Sequence, residues 1–145
     1  ITLASGTLPT GLVLGPDGTL SGTPSQAGVF QAVVGLADSE GRTAQYAANF
    51  AVAERLAVKT MALKPGRVGK LYRAKLASSG GVNPRVWKVA GGKLPKGLKL
   101  DRRLGIVSGI PKKPGSPRVT FQVTDGLEVV AKKILRIVVV RTRTP

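Results

Sequence analysis

Carboxylate side chains are the first candidates for chemistry, because the 145-residue chain contains neither cysteine nor histidine. That composition excludes disulfides, thiolate metal sites, cysteine nucleophiles and every histidine-based triad or zinc site. Asp38 and Asp125 each follow an apolar stretch, where a carboxylate could serve calcium. Calcium takes about six to eight oxygen ligands, yet the nearest acidic neighbours are only Glu40 and Glu128. We therefore predict no metal and no cofactor, and expect both aspartates to cap Asx-type turns.

Enzymatic chemistry is not indicated by the other polar residues. Acid–base catalysis by paired carboxylates needs two acids in one pocket, whereas the acids here are scattered over turn-like segments. The serines have no histidine base, and nothing in the sequence favours a Ser-Lys pair. Residues 64–70, Lys-Pro-Gly-Arg-Val-Gly-Lys, lack the glycine spacing of a phosphate-binding loop, and Leu71 follows them. The sequence predicts that the chain is not an enzyme.

An internal repeat accounts for many of the glycines and prolines. Residues 8–14 read Leu-Pro-Thr-Gly-Leu-Val-Leu and residues 94–100 read Leu-Pro-Lys-Gly-Leu-Lys-Leu, an offset of 86 positions (94 minus 8). The Ser-Gly-x-Pro sequence at 21–24 returns at 108–111, where the offset is 87 (108 minus 21) because one residue is inserted near Arg103. Proline restricts φ and glycine permits positive φ, so this pattern is typical of turns and strand edges.

Alternating apolar residues predict the longer strands of the fold. They occupy residues 29–36, 46–52, 119–123 and 134–140. A bilayer-spanning helix needs about 20 apolar residues, and the best apolar run, 134–140, is interrupted by Arg136. The sequence therefore predicts an all-β fold with no transmembrane segment.

The second copy carries further signature positions. These are Tyr72, Gly80-Gly81, Pro84, Trp87, Gly105, Gly115 and Thr124-Asp125. With the repeated turn motifs, this pattern resembles the immunoglobulin-like domains of bacterial surface proteins, which are related to the cadherin-like domains of dystroglycan type. The resemblance implies tandem β-sandwich repeats that act as stalk, spacer or adhesive modules, extracellular or at the cell surface. It assigns residues 1–53 to the C-terminal part of a first repeat, truncated at its N-terminus, and 54–145 to a complete, basic second repeat.

The first repeat lacks an initial half. Because Ile1 aligns with Trp87 (1 plus 86), residues 56–86 have no counterpart in the first repeat. So small a partial sandwich would expose much of its inner face to solvent. We expect an upstream segment or a partner chain to supply the absent strands by β-augmentation.

The net charge of +16 belongs to the second repeat. Residues 1–53 hold one base and three acids (1 − 3 = −2), whereas residues 54–145 hold 22 bases and four acids (22 − 4 = +18). Bases that alternate with apolar residues along strands predict one basic solvent face. Eleven of them are candidate contacts for an acidic polymer or an acidic protein surface: Arg73, Lys75, Lys88, Lys96, Lys99, Arg102, Arg103, Lys112, Lys113, Lys132 and Lys133. Solubility and protection of strand edges are the alternative explanation for these bases.

The second repeat has few of the aromatic residues that nucleic-acid recognition requires. Tyr72, Trp87 and Phe121 are the only aromatic residues of the second repeat, and single-stranded nucleic acid is recognised largely by stacking on aromatic side chains. We therefore expect no sequence-specific nucleic-acid binding. The favoured function is a structural or adhesive module of a larger cell-surface or secreted protein. A polyanion-binding accessory module of an enzyme or toxin, and a scaffold subunit of a multi-chain assembly, stay open as alternatives.

Overall fold

Strands are the only regular secondary structure within residues 1–143, the part of the chain that the computed structural model describes. The chain divides into two compact units, Ile1–Glu54 and a second unit that begins at Arg55. The predicted all-β class is therefore confirmed. No helix in the described range is long and apolar enough to cross a membrane.

The first unit consists of five strands. They are β1 (Thr2–Gly6), β2 (Leu12–Leu14), β3 (Leu20–Gly22), β4 (Gly28–Ala37) and β5 (Thr43–Val52). One sheet has the order β1-β4-β5, and β2 pairs with β3 in the other. The antiparallel β4–β5 hairpin contains the two stretches that the alternation pattern predicted as strands.

The second unit repeats these strands and adds four at its beginning. The added strands are β6 (Ala57–Val58), β7 (Gly66–Arg67), β8 (Tyr72–Lys75) and β9 (Ser78–Ser79). The others are β10 (Val86–Gly91), β11 (Leu98–Asp101), β12 (Ile106–Gly109), β13 (Arg118–Thr124), β14 (Val130–Arg136) and β15 (Val139–Val140), of which β14 and β15 together correspond to β5. Two three-stranded sheets, β10-β13-β14 and β11-β12-β8, are accompanied by the pairs β6-β9 and β7-β15, the latter parallel.

One continuous core holds the second unit together. Val107, Val119, Phe121, Val123 and Ile137 are all 0% exposed. Burying an apolar side chain of this size stabilises a fold by about 1.5–3 kcal/mol. Burial of these apolar side chains therefore stabilises the folded second unit.

The backbone pairings of the two units correspond position by position. The β1–β4 pairing shifts register between Leu3 and Ser5, and the β10–β13 pairing shifts between Val89 and Gly91. Both shifts lie at the same place in the repeat, since 3 plus 86 is 89. A β-bulge at equivalent positions shows that the sequence repeat is also a structural repeat.

A close backbone approach explains the glycines of the two turn motifs. A Cβ atom on Gly109 would lie 2.1 Å from the carbonyl oxygen of Gly97, and one on Gly22 would lie 2.1 Å from that of Gly11. Gly109 and Gly22 have φ values of 138° and 112°, a region that residues with a side chain rarely adopt. The Leu-Pro-x-Gly-Leu turn therefore packs against the Ser-Gly-x-Pro strand in a way that only glycine permits.

The inner face of the first unit is open. Leu20 is 39% exposed, whereas the equivalent Val107 is fully buried; Leu36 is 41% exposed, whereas the equivalent Val123 is fully buried. Of residues 1–54, only Pro9 and Ala32 are buried. The strands that cover these positions in the second unit have no counterpart in the first, as the alignment of the repeats predicted.

Candidate binding surfaces

Asp125 organises the loop between β13 and β14. Its Oδ1 accepts hydrogen bonds from the backbone amides of Leu127 and Val129, each at 2.9 Å. Its Oδ2 accepts a third from the amide of Val82 at 3.1 Å. The residue is only 7% exposed. Both carboxylate oxygens are thus used by the backbone, and one of them joins the loop to the initial half of the unit.

The surroundings of Asp125 lower its pKa. Burial by itself raises the pKa of this carboxyl, but amide hydrogen bonds from Val129, Val82 and Leu127, together with the charge of Arg85, outweigh that effect. The folded-state pKa thus lies below the ordinary value of 3.8. The carboxylate therefore stabilises the folded unit at pH values above the ordinary pKa, and this contribution is lost as the pH falls through the lowered one.

Asp38 has the equivalent role in the first unit. Its Oδ1 accepts from the backbone amides of Glu40 and Arg42, each at 2.9 Å. Its Oδ2 accepts a hydrogen bond from the Arg42 guanidinium Nε at 2.8 Å. The corresponding oxygen of Asp125 accepts instead from the backbone amide of Val82, in the initial half of the second unit. The Arg42 side-chain hydrogen bond is the main reason that the pKa of Asp38 is lowered. The predicted turn-capping role is confirmed for both aspartates, and residues 1–143 contain no cluster of three or more acidic, histidine or cysteine side chains that could hold a metal.

Three of the predicted polyanion contacts lie on the outer face of the β11-β12-β8 sheet. Arg73 and Lys75 are exposed on β8, and Lys99 is exposed on β11. Ser108 of β12 stands between Lys99 and Arg73 in the same row. Along these strands the inward positions are apolar, as the alternation predicted.

Two more predicted contacts lie on the outer face of the β10-β13-β14 sheet. Lys88 and Lys132 flank Gln122 in one row across the three strands. On the same face Arg118 and Arg136 stand directly opposite each other on β13 and β14. All four bases are exposed. These two arginines are not among the eleven candidate contacts, because only the β13–β14 register shows that they are paired.

The remaining exposed candidates lie in loops. Lys96 and Lys112 are brought together by a backbone hydrogen bond of 2.8 Å from the Lys112 amide to the Lys96 carbonyl, and Lys113 follows in sequence. Arg102 and Arg103 lie in the turn between β11 and β12, and both are exposed. These loops lie at opposite ends of the β11–β12 pair, so their bases do not form one cluster.

Lys133 does not belong to an outer face. It pairs with Phe121, whose side chain is fully buried, and is itself half-buried. Its Nζ lies 2.9 Å from the Sδ atom of Met61. Successive residues of a strand point to opposite faces, so Lys132 and Lys133 cannot both point outward. The expectation of one basic face is therefore wrong: the bases are divided between two sheet faces, two loop ends and one inward position.

The bases of the second unit have no carboxylate partners among the described residues. Both ion pairs within residues 1–143 join Arg42 to acids of the first unit. In the second unit, Asp101 directs its Oδ1 to the backbone amides of Arg103 and Leu104, each at 2.9 Å. Within the described part of the chain, no ion pair joins the bases of the two basic sheet faces to a carboxylate.

The open inner face of the first unit forms an apolar cavity. Its volume is about 340 Å³. Aliphatic and aromatic side chains from β2, β3, β4 and β5 line it, among them Leu14, Leu20, Val34, Leu36, Tyr46 and Phe50. No charged side chain contributes to the lining. The exposure of this face was predictable from the alignment of the repeats, whereas the residues that line it were not.

Comparison with known proteins identifies both copies. The family described as "Putative Ig domain" matches residues 1–53 and 57–140. No curated protein sequence matches the chain. Among solved structures, a "putative alpha-galactosidase/melibiase" from Bacteroides fragilis is similar with a TM-score of 0.50 and 22% identity, over 59% of this chain and 17% of that chain.

Cadherin ectodomains are also among the similar structures. Mouse clustered PcdhgC3 EC1-3 aligns with a TM-score of 0.48 and 13% identity, over 89% of this chain and 51% of that one. Protocadherin Gamma B2 extracellular cadherin domains 3-6 align at 0.48 and 18%, over 79% and 34%. The chain thus spans about half or less of each of these three structures. The family match covers most of the chain in two segments, and the chain therefore belongs to this immunoglobulin-like domain family.

Proposed function

We propose that the chain is a structural or adhesive segment of a larger cell-surface or secreted protein, where its tandem units act as spacer, stalk or partner-binding modules. The observation that carries this proposal is the equivalence of the two units, down to the β-bulge, the glycine contacts and the aspartate-capped loops. Repetition of one sandwich is how a chain gains length and surface. Immunoglobulin-like domains are typical of extracellular proteins with structural or adhesive roles.

Exposure at the cell surface tests this proposal. Intact cells that produce the parent protein are treated with a protease that does not enter cells, and an antibody against the second unit then measures what is left. We expect the signal to disappear from the cells, or to occur in the culture medium, while a cytoplasmic marker stays intact. A segment that is protected in intact cells and absent from the medium would contradict the proposal.

A second candidate function, polyanion binding as an accessory or scaffold module, is favoured by the outer face of the β10-β13-β14 sheet. Arg118 and Arg136 are directly opposite, and like charges at such positions destabilise a sheet. Lys88 and Lys132 add two exposed charges to the same face. A bound polyanion, such as a phosphopolymer or an acidic polysaccharide, would neutralise this repulsion and release counterions.

The substitution Arg136→Glu tests this candidate with two readouts of opposite sign. It places a carboxylate opposite Arg118, so we expect the free energy of unfolding of the second unit to rise by about 0.2–1 kcal/mol. It also removes positive charge from the face, so we expect weaker binding to polyphosphate, with a slope of log K against log salt reduced by about one to two. Denaturation followed by the fluorescence of Trp87, the single tryptophan, and salt titration of binding measure the two effects.

The matched control for this experiment is Arg73→Glu. It makes the same charge change on the outer face of the other sheet, so the salt slope should stay at its original value. Equal weakening by both substitutions would show that net charge alone attracts the polymer. Absence of binding at low salt would remove polyanion binding from consideration.

A further inference from the structure

We propose that the open inner face of the first unit is a docking groove for a polypeptide segment with the chemistry of residues 56–82 of the second unit. The groove consists of the free edge of β3 and the inward side chains of β3, β4 and β5. Its occupant adds a strand to β3 and covers the apolar side chains with apolar residues of its own. This inference goes beyond the proposed function, because a spacer or adhesive module does not by itself require an occupant.

The free edge of β3 is the first observation that supports this groove. In the second unit, the equivalent strand β12 is the middle strand of a sheet, and its Val107 and Gly109 pair antiparallel with Ala74 and Tyr72 of β8. In the first unit, β3 pairs with β2 alone. The backbone groups on its other side are therefore available to an added strand, which is the chemistry of β-augmentation.

The missing core side chains are the second observation. In the second unit, Leu56, Tyr72 and Leu76 are 5%, 2% and 2% exposed and belong to the same buried cluster as Val107 and Val123. Half-buried residues of the same segment pack against that cluster: Val58, Leu63, Val68 and Ala74. The cavity of about 340 Å³ in the first unit lies where such side chains are absent. The exposure of Leu20 and Leu36 is the direct consequence.

Tyr46 provides a third observation. It is 69% exposed on β5, and its equivalent in the second unit is Lys133, whose amine contacts Met61. Met61 belongs to the initial segment of the second unit, which therefore extends over this position as well as along β12. An occupant of the same kind would cover Tyr46 together with Leu20 and Leu36.

These observations define the chemistry of the occupant. It is an extended chain that runs antiparallel to β3, with a small inward residue opposite Leu20, as Ala74 is opposite Val107. Large apolar residues flank this position, as Tyr72 and Leu76 do in the second unit. A lipid or small apolar molecule could fill the cavity but could not pair with the backbone of β3, which favours a polypeptide.

A peptide with the sequence of residues 55–82, added in trans to the isotopically labelled full chain, tests the proposal by NMR. We expect chemical-shift changes and slower amide exchange in β3, β4 and β5, while the resonances of the second unit stay in place. The chain variant Leu36→Asp should weaken peptide binding by about tenfold or more, since it puts a charge into the apolar groove. A peptide that carries both Tyr72→Asp and Leu76→Asp should not bind.

Val29→Asp is the matched control, because Val29 lies on the same strand, is 78% exposed and alternates to the opposite face. It should bind the peptide as the unsubstituted chain does. The proposal is overturned if millimolar peptide causes no shifts, if the shifts lie outside β3–β5, or if Leu36→Asp binds normally. It is also overturned if the chain alone dimerises through Leu36, or if a fatty acid binds in the groove while the peptide does not.

Discussion

Replacing Gly109 with alanine is expected to lower the free energy of unfolding of the second unit by about 3 kcal/mol or more. The added Cβ would lie 2.1 Å from the carbonyl oxygen of Gly97, at a φ of 138°. The obstacle is backbone, so it cannot rotate away, and relief requires the β11–β12 pairing to separate. Guanidinium denaturation followed by the fluorescence of Trp87 measures the loss.

Two comparisons make this result specific. Ser108→Ala changes the neighbouring, half-buried residue of the same strand, and should cost less than about 1 kcal/mol. Gly22→Ala creates the equivalent clash with Gly11 in the first unit, and should increase amide exchange in β2 and β3. Stability of Gly109→Ala equal to that of the unsubstituted chain would show that the two backbones do not approach each other in this way.

Replacing Phe121 with alanine is expected to cost about 3–5 kcal/mol of stability in the second unit. Its side chain is fully buried at the centre of the core, so the substitution removes apolar contacts and leaves a cavity. The equivalent residue in the first unit is Val34, which lines the open cavity and is only half-buried. Val34→Ala should therefore cost less than about 1 kcal/mol. Denaturation followed by Trp87 measures the first effect, and amide exchange in β4 measures the second.

The difference in stability cost between Val34→Ala and Phe121→Ala shows whether the groove is open in solution. If Val34→Ala destabilises the first unit as strongly as a core substitution does, the inner face is already covered in solution. If Phe121→Ala costs less than about 1 kcal/mol, Phe121 does not lie in a packed core.

Local sequence patterns were sufficient to predict the architecture of the chain. The offset between the two Leu-Pro-x-Gly-Leu motifs aligned the units correctly. In each unit the glycine of this motif makes the same close backbone contact within one hairpin. The stretches predicted as strands at 29–36 and 46–52 lie within β4 and β5, and the stretch at 119–123 lies within β13. The stretch at 134–140 is instead divided between β14 and β15. Alternation marks a strand well, but it does not mark the break between two short ones.

The arrangement of the basic residues could not be predicted in the same way. Which strands share a sheet, and in which register, depends on contacts between residues far apart in the sequence. The Arg118–Arg136 pair exists only because β13 and β14 align as they do. Lys133 points inward because successive residues of a strand point to opposite faces, and its neighbour Lys132 faces solvent. Composition therefore revealed the amount of charge, and the fold determined where it lies.

The amide contacts of Asp125 also bear on the chemical durability of the chain. Asp125 precedes Gly126, and aspartyl-glycine bonds isomerise readily when the glycine nitrogen attacks the side-chain carboxyl carbon. Here the Gly126 nitrogen donates to the carbonyl of Val82 at 2.8 Å, and three other amides hold the carboxylate. Hydrogen bonds of the folded loop thus engage both the nitrogen and the carboxylate, which disfavours the attack. A long-lived protein would thereby be spared succinimide formation at the junction that joins the two halves of its second unit.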